Sequence, residues 1–212
     1  MSLTSISLDA FAPAHVMLSA LAERRASSAE LVELHLERIR RYNDALNAIV
    51  VPGRDPQSAA RQADLARASG EQGALLGLPV TLKESMNVPG LATTVGVPDF
   101  KDFVAADYGA IPQRVLGAGA VLLGKTNVPP MLADWQSTNP IYGRTVNPWN
   151  AALTPGGSTG GTPTGCAQSP VTGINGGYSS TPTVTASGGV SGGAAGGGGA
   201  TGDNGGRLYA NV

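Results

Sequence analysis

At 212 residues the chain is long enough for one domain with a sizeable core, and 14 Lys and Arg against 15 Asp and Glu leave a formal net charge of -1. That balance sets up no field to draw nucleic acid or an anionic membrane, and it leaves small neutral ligands open. The lone Cys166 excludes an intrachain disulfide. The opening MSLTSISLDAFAPAHVML lacks the basic start, apolar run and small-residue site of a leader, and no stretch nears the ~18 apolar residues of a membrane span, so a cytoplasmic protein is expected.

The first strong element begins at Ser27 and Glu30, which have the S-x-x-E spacing of a capping box. Leu31, Val32, Leu34, Leu36 and Ile39 then give a broad apolar face, predicting a helix to about Tyr42. Residues 48–51 read as a short apolar strand, 55–68 as an Ala/Arg/Gln-rich helix closed by Gly70, and 78–82 as a second strand. Residues 107–116 read as a helix and 120–123 as a third strand, after which Pro129 and Pro130 bar an immediate helix. Strands separated by helices predict an α/β layered fold with a mixed, largely parallel sheet flanked by helices. His15 and His35 fall on predicted helices with no second ligand at metal spacing, so both are read as surface or packing residues; neither a metal nor an organic cofactor is expected.

Composition divides the chain after Gly161. Residues 163–212 hold 15 of the 30 glycines, only two charged residues, Asp203 and Arg207, and one leucine, Leu208. Such side chains supply little to a core, and ordering each glycine is entropically expensive, so a disordered tail is expected over 162–212. Disordered segments are usually rich in charge and this one is not, so two origins stay open: a natural flexible tail, or a frameshifted continuation.

Two motifs bear on chemistry. Gly119 to Thr126, GAVLLGKT, satisfies the phosphate-loop pattern G-x-x-x-x-G-K-[ST] letter for letter. Its inner residues Ala-Val-Leu-Leu ask for burial as a strand, and Asn127-Val128-Pro129-Pro130 follows where a helix would have to start, so nucleotide binding is the runner-up. The other motif is TPGGSTGG, residues 154–161, read together with Lys83 in GLPVTLKE, residues 77–84. Glycines around Ser158 and Thr159 permit a sharp turn and close approach to a ligand, and they leave N–H groups unscreened. A lysine on an apolar strand, flanked by Val80 and Leu82, can act as a base near neutral pH if burial lowers its pKa. Taken singly, Lys83 reads more readily as a surface lysine at a strand end and Ser158 as an ordinary turn residue; only in company with further motifs does the balance reverse.

Four segments in order, GLPVTLKE at 77–84, AGAVLLGKTN at 118–127, NPIYGRTVNPW at 139–149 and TPGGSTGG at 154–161, together resemble the amidase signature family. The resemblance runs from about Leu8 to Gly161. It implies a Ser-cisSer-Lys triad that hydrolyses carboxamides through an acyl-enzyme, with Lys83 matching the general base and Ser158 the bridging serine on a cis peptide bond. It further implies that Gly156, Gly157, Thr159, Gly160 and Gly161 form the loop and oxyanion surroundings. Thr159 stands where serine is commonest. Met131, Leu132 and Trp135 fall where part of an acyl-binding wall is implied, with core packing equally open for all three; Arg144, Asn147 and Trp149 read as loop-fixing residues.

The family's nucleophile lies roughly two dozen residues after the bridging serine, in a G-[ST]-D-x-G-G-S segment. Here that spacing falls near Thr181 and Pro182, without the pattern, and the nearest echo, Gly202 to Arg207, has Arg in place of Ser. Ser179, Ser180, Ser187 and Ser191 offer hydroxyls outside such a turn. Family members are roughly twice this length. The expectation is therefore an amidase-type hydrolase present as its N-terminal part, residues 1–161, inactive or impaired for want of a nucleophile. The other reading is a non-catalytic α/β fragment with a flexible tail. A small amide is the expected partner, and homodimerisation stays open.

Overall fold

The computed structural model describes residues 9–161; the expectations for the tail at 162–212, and for every serine in it, lie outside the described residues. The elements in order are α1 (Ala14–Ala22), α2 (Ser28–Leu46), β1 (Ile49–Pro52), α3 (Pro56–Ala68), β2 (Pro79–Lys83), α4 (Ala110–Gly117), β3 (Val121–Thr126), β4 (Thr138–Asn139) and β5 (Gly143–Arg144). Single 3-10 turns at Pro98–Phe100 and Pro130–Leu132 interrupt the connections.

The predicted capping box is present: Glu30 N–H donates to Ser27 Oγ at 3.1 Å and Ser27 N–H to Glu30 Oε2 at 2.8 Å. Asp64 of α3 reinforces this end of α2 by accepting from Ser28 N–H at 2.7 Å and Ala29 N–H at 3.0 Å. α2 runs one turn beyond Tyr42 and stops at Asn47 in the left-handed region, φ 51°. Asn43 in that extra turn launches β1, its Oδ1 accepting from Ala48 N–H at 3.0 Å and Ile49 N–H at 2.8 Å. Asn43 and Asp44 open this last turn, which is why the apolar periodicity breaks off before it. Asp55 caps α3 at Ser58 N–H, 2.8 Å, with Pro56 at the first helical position.

Among the described residues β1, β2 and β3 form a three-stranded sheet of order β1-β3-β2, in which β2 runs parallel to β3 and β1 antiparallel to it. The sheet is mixed, as expected, but among the described residues parallel pairing does not predominate, since one of these two pairings is parallel and the other antiparallel. Periodicity locates a strand but carries no information on which way it meets a neighbour distant in sequence. A two-residue hairpin, β4 with β5, has no counterpart among the predicted elements, because two residues cannot show a period. It is shaped by Asn139, whose Oδ1 accepts from Ile141 N–H and Tyr142 N–H at 2.9 and 2.8 Å.

Helices cover the sheet through contiguous apolar clusters. Met17, Leu21, Leu31, Leu78, Val80 and Val115 join α1, α2, β2 and α4, while Val32, Ala60, Val121 and Leu123 join α2, α3 and β3. Burying each large side chain contributes about 1.5–3 kcal/mol, so these clusters fix the relative placement of β2 and β3 on which the site depends. His35 is wholly buried, its Nδ1 2.7 Å from Leu31 O, and burial lowers its pKa; it packs, as expected. His15 is exposed on α1. Among the described residues no three His, Cys, Asp or Glu side chains converge as a metal site would require, and no helix is long and apolar enough to cross a membrane.

Candidate active site

The parallel pair β2/β3 sets Lys83 opposite Thr126 and Leu82 opposite Lys125. Since side chains alternate along a strand, Lys83 and Thr126 share one face and Leu82 and Lys125 the other. The first face meets the turn at 154–161. There Lys83 Nζ donates to Ser158 Oγ at 2.5 Å, joining residues 75 positions apart. Burial holds the Lys83 amine below the ordinary lysine range, with no charged neighbour needed to do so. The Gly157–Ser158 peptide bond is cis.

Close approach dictates the glycines of this turn. Gly156 has φ +92°, a Cβ on Gly157 would lie 2.4 Å from Asp134 O, and one on Gly160 would lie 2.5 Å from Ser137 Cβ. The turn is braced from several sides. Ser137 Oγ donates to Gly156 O at 3.0 Å, Thr154 Oγ1 donates to Trp135 O at 3.0 Å, and Gly160 N–H donates to Asn127 O at 2.9 Å. Gly156 N–H donates to Thr154 Oγ1 at 3.0 Å. Of the five residues expected around an oxyanion, Gly156 and Gly160 thus use their N–H groups to hold the loop. Arg144 and Asn147 serve as expected, Arg144 Nη2 donating to Ala151 O and Leu153 O at 3.1 and 3.0 Å and Asn147 Nδ2 to Thr154 O at 2.9 Å. The Trp149 side chain is on the surface, the residue being 72% exposed, though its backbone N–H donates to Asn147 Oδ1 at 2.8 Å.

Met131, Leu132 and Trp135 lie on the segment that borders the turn. Among the described residues Met131 is 65% exposed, while Leu132 and Trp135 are half-buried. Met131 and Leu132 have φ of 53° and 61°, and Met131 N–H donates to Val95 O at 2.9 Å. A Cβ on Gly157 would lie 2.8 Å from Trp135 C, so Trp135 meets the turn through its backbone.

The opposite face holds a buried polar cluster that sequence reasoning missed. Lys125 is wholly buried, donating to Thr93 Oγ1 at 2.8 Å and also to Ala92 O, and burial lowers its pKa to about 8 against the opposing charge of Glu84. The Glu84 carboxylate accepts from Thr94 N–H at 2.5 Å, Val95 N–H at 3.1 Å and Tyr142 Oη–H at 3.1 Å. Burial, with the Glu84 charge behind it, pushes Tyr142 up to about 12. Asn127, also wholly buried, donates to Thr145 Oγ1 at 3.0 Å and Gly143 O at 3.1 Å and accepts from Asn139 Nδ2 at 2.8 Å, fastening the β4/β5 hairpin to the end of β3. The signal is legible only as a polar run, Lys125-Thr126-Asn127, continuing an apolar strand.

That placement removes the nucleotide reading. From Val121 onward the residues between Gly119 and Lys125 belong to the largely buried strand β3 rather than to a loop, and the Lys125 ammonium is occupied within the protein. Millimolar ATP or GTP with magnesium is expected to leave the melting temperature unchanged, in the wild-type chain and in Lys125→Ala alike. Magnesium-dependent stabilisation that Lys125→Ala loses would reverse this conclusion.

The sequence pattern of the Amidase family matches residues 30–169. The chain belongs to the amidase signature family. The match starts after Leu8, the residue from which the four-motif resemblance runs, and continues past Gly161. An indoleacetamide hydrolase of Bradyrhizobium diazoefficiens is 41% identical over 137 residues, which is 64% of this chain and 26% of that protein. A glutamyl-tRNA(Gln) amidotransferase subunit of Methylococcus capsulatus is 36% identical over 161 residues, 76% of this chain and 33% of that one. Among solved structures, a bacterial aryl acylamidase of the amidase signature enzymes superposes with a TM-score of 0.67 at 29% identity, over 71% of this chain and 32% of its own. This amidase-family chain thus spans 26% to 33% of the length of these relatives.

Proposed function

We propose that the chain carries the base and the relay of an amide-hydrolysing Ser-cisSer-Lys triad, Lys83 being the base and Ser158 the bridging serine. The observation that supports this most is the 2.5 Å contact between Lys83 Nζ and Ser158 Oγ. With the amine neutral, Lys83 draws a proton from Ser158 Oγ while Ser158 draws one from a nucleophilic hydroxyl attacking the amide carbonyl. The tetrahedral intermediate collapses as the same chain, run backwards, protonates the leaving amine, and water then releases the acyl group by the same route. Backbone N–H groups of the glycine turn other than those of Gly156 and Gly160, which hold the loop, are the proposed source of oxyanion stabilisation.

The substrate class proposed is a small carboxamide, in keeping with the hydrolysis of indoleacetamide and acylated aryl amines in the names of relatives. Neither the charge balance nor this chemistry calls for a nucleic acid, a membrane or a cofactor, and a cytoplasmic location is part of the same proposal. The segment G-[ST]-D-x-G-G-S does not occur in the 212 residues. For that reason the chain by itself is proposed to turn amides over weakly or not at all, since triad members act as a unit. The competing reading, a non-catalytic α/β fragment, is favoured by that one observation.

A serine-directed fluorophosphonate followed by peptide mapping tests the proposal on the chain as it stands. No single serine should be labelled stoichiometrically, and hydrolysis of an aryl amide should stay near background. Stoichiometric labelling of one residue among Ser179, Ser180, Ser187 and Ser191 would reveal a displaced nucleophile and an active enzyme.

A further inference from the structure

Of the groups that brace the 154–161 turn, one side chain also stands on the strand paired with Lys83. Thr126 is the Cα partner of Lys83 in the parallel ladder, is 3% exposed, and has its Oγ1 2.6 Å from Thr159 Oγ1. Its carbonyl accepts from Glu84 N–H at 3.0 Å, and its hydroxyl lies 3.4 Å from Leu82 O. Thr126 is therefore held by the residues on both sides of Lys83, and its hydroxyl meets the residue that follows Ser158. Its methyl acts on the same turn: a Cβ on Gly161 would lie 2.1 Å from Thr126 Cγ2. One side chain thus bonds the turn at Thr159 and excludes any side chain two residues later.

We propose that Thr126 is a positioning residue that latches the Ser158 turn onto the Lys83 strand, so that the Lys83–Ser158 contact depends on the Thr126–Thr159 hydroxyl pair. This rests on the reading of Lys83 and Ser158 as base and relay. The physical reason is that the 2.6 Å hydroxyl pair sits between two chain segments 33 residues apart, where each hydroxyl has the other as its short partner. Losing it frees the turn to lift away from the strand and admits water to the Lys83 amine. Because burial is what holds that amine below its ordinary range, lifting the turn returns it upward.

The test is the pH profile of Lys83 acetylation by a trace of acetic anhydride, read by mass spectrometry of the Lys83 peptide, since only the neutral amine reacts. The midpoint reports protonation, whereas the plateau reports access of the reagent. Thr126→Val keeps the shape and removes the hydroxyl, Thr126→Ser keeps the hydroxyl, and Thr159→Ala removes the same contact from the turn side. The midpoint is expected to rise in Thr126→Val and Thr159→Ala, a one-unit rise lowering the reactive fraction about tenfold at pH values below both midpoints, and to stay in place in Thr126→Ser. Thr159→Ala keeps the question decidable if Thr126→Val does not fold. A folded Thr126→Val or Thr159→Ala whose midpoint stays at the wild-type value overturns the inference, even if its melting temperature falls, because the role would then be structural only. A wild-type midpoint already at the ordinary lysine value, unmoved in the variants, overturns both the latch and the assignment of Lys83 as base. A midpoint shift as expected, with no hydrolysis when a nucleophile is supplied, removes the functional reading and leaves the latch standing.

Discussion

Supplied with a G-T-D-x-G-G-S segment at family-like spacing after Ser158 and the remaining part of an amidase relative, the chain gains turnover on simple carboxamides, and Lys83→Ala abolishes it. The expected loss is on the order of 10^4-fold in kcat with little change in KM, because the base acts on the transition state and not on substrate binding. Lys83→Arg should be as damaging, since a guanidinium stays protonated throughout the working range and cannot accept the Ser158 proton. Ser158→Ala should cost a similar factor, and the double variant little more than either alone, as expected of groups joined by a 2.5 Å contact that act in one proton path. Activity should rise with pH as Lys83 loses its proton, with the midpoint below the ordinary lysine range because burial depresses that amine. A Lys83→Ala enzyme that kept within tenfold of the parent kcat would remove Lys83 from the mechanism.

Glu84→Ala is expected to be the most destabilising single substitution near the site, by about 3–5 kcal/mol in urea denaturation at pH 7. It strips three donors of their acceptor, Thr94 N–H, Val95 N–H and Tyr142 Oη–H, and leaves the buried Lys125 charge without its nearby carboxylate. Lys125→Met should be far milder at that pH. It gives up the bonds to Thr93 and Ala92 but also removes the penalty of burying a charge.

The pH dependence separates the two residues. Lys125 titrates at about 8 in the folded chain against 10.5 for an ordinary lysine, so between these values the unfolded state binds more protons and stability rises with pH. The gain amounts to roughly 3 kcal/mol by pH 10.5, and Lys83 adds to it with the same sign. Tyr142 acts oppositely above pH 10, since its folded value of about 12 makes the native state the one that retains the proton. Stability measured from pH 7 to 10 should therefore climb in the wild-type chain and climb much less in Lys125→Met. Parallel profiles for the two would show that Lys125 titrates normally.

What the sequence determined by itself was everything local and periodic. The S-x-x-E spacing located the start of α2, the apolar runs located β1, β2 and β3 to within a few residues, and the ordered motifs with their glycines identified the family. These are signals in which each residue is read against neighbours a few positions away. Lys83 and Ser158 could be named as a pair only through the family resemblance, because nothing in their own surroundings in the chain says that they meet.

The tertiary structure decided the rest, since each remaining feature joins residues distant in sequence. Strand direction in the β1-β3-β2 sheet, the burial of Lys125 against Thr93, 32 positions away, and the hub at Asn127, whose partner Thr145 is 18 positions away, all depend on residues beyond the reach of a local pattern. Lysine and asparagine are residue types found mostly at the surface. Lys125 and Asn127 are buried because the folded chain supplies the polar side-chain atoms of these two residues with partners, and no local pattern encodes such a supply. The same holds for Thr126: its place opposite Lys83 and its hydroxyl against Thr159 follow from the register of β2 with β3 and from where the glycine turn lands on that pair.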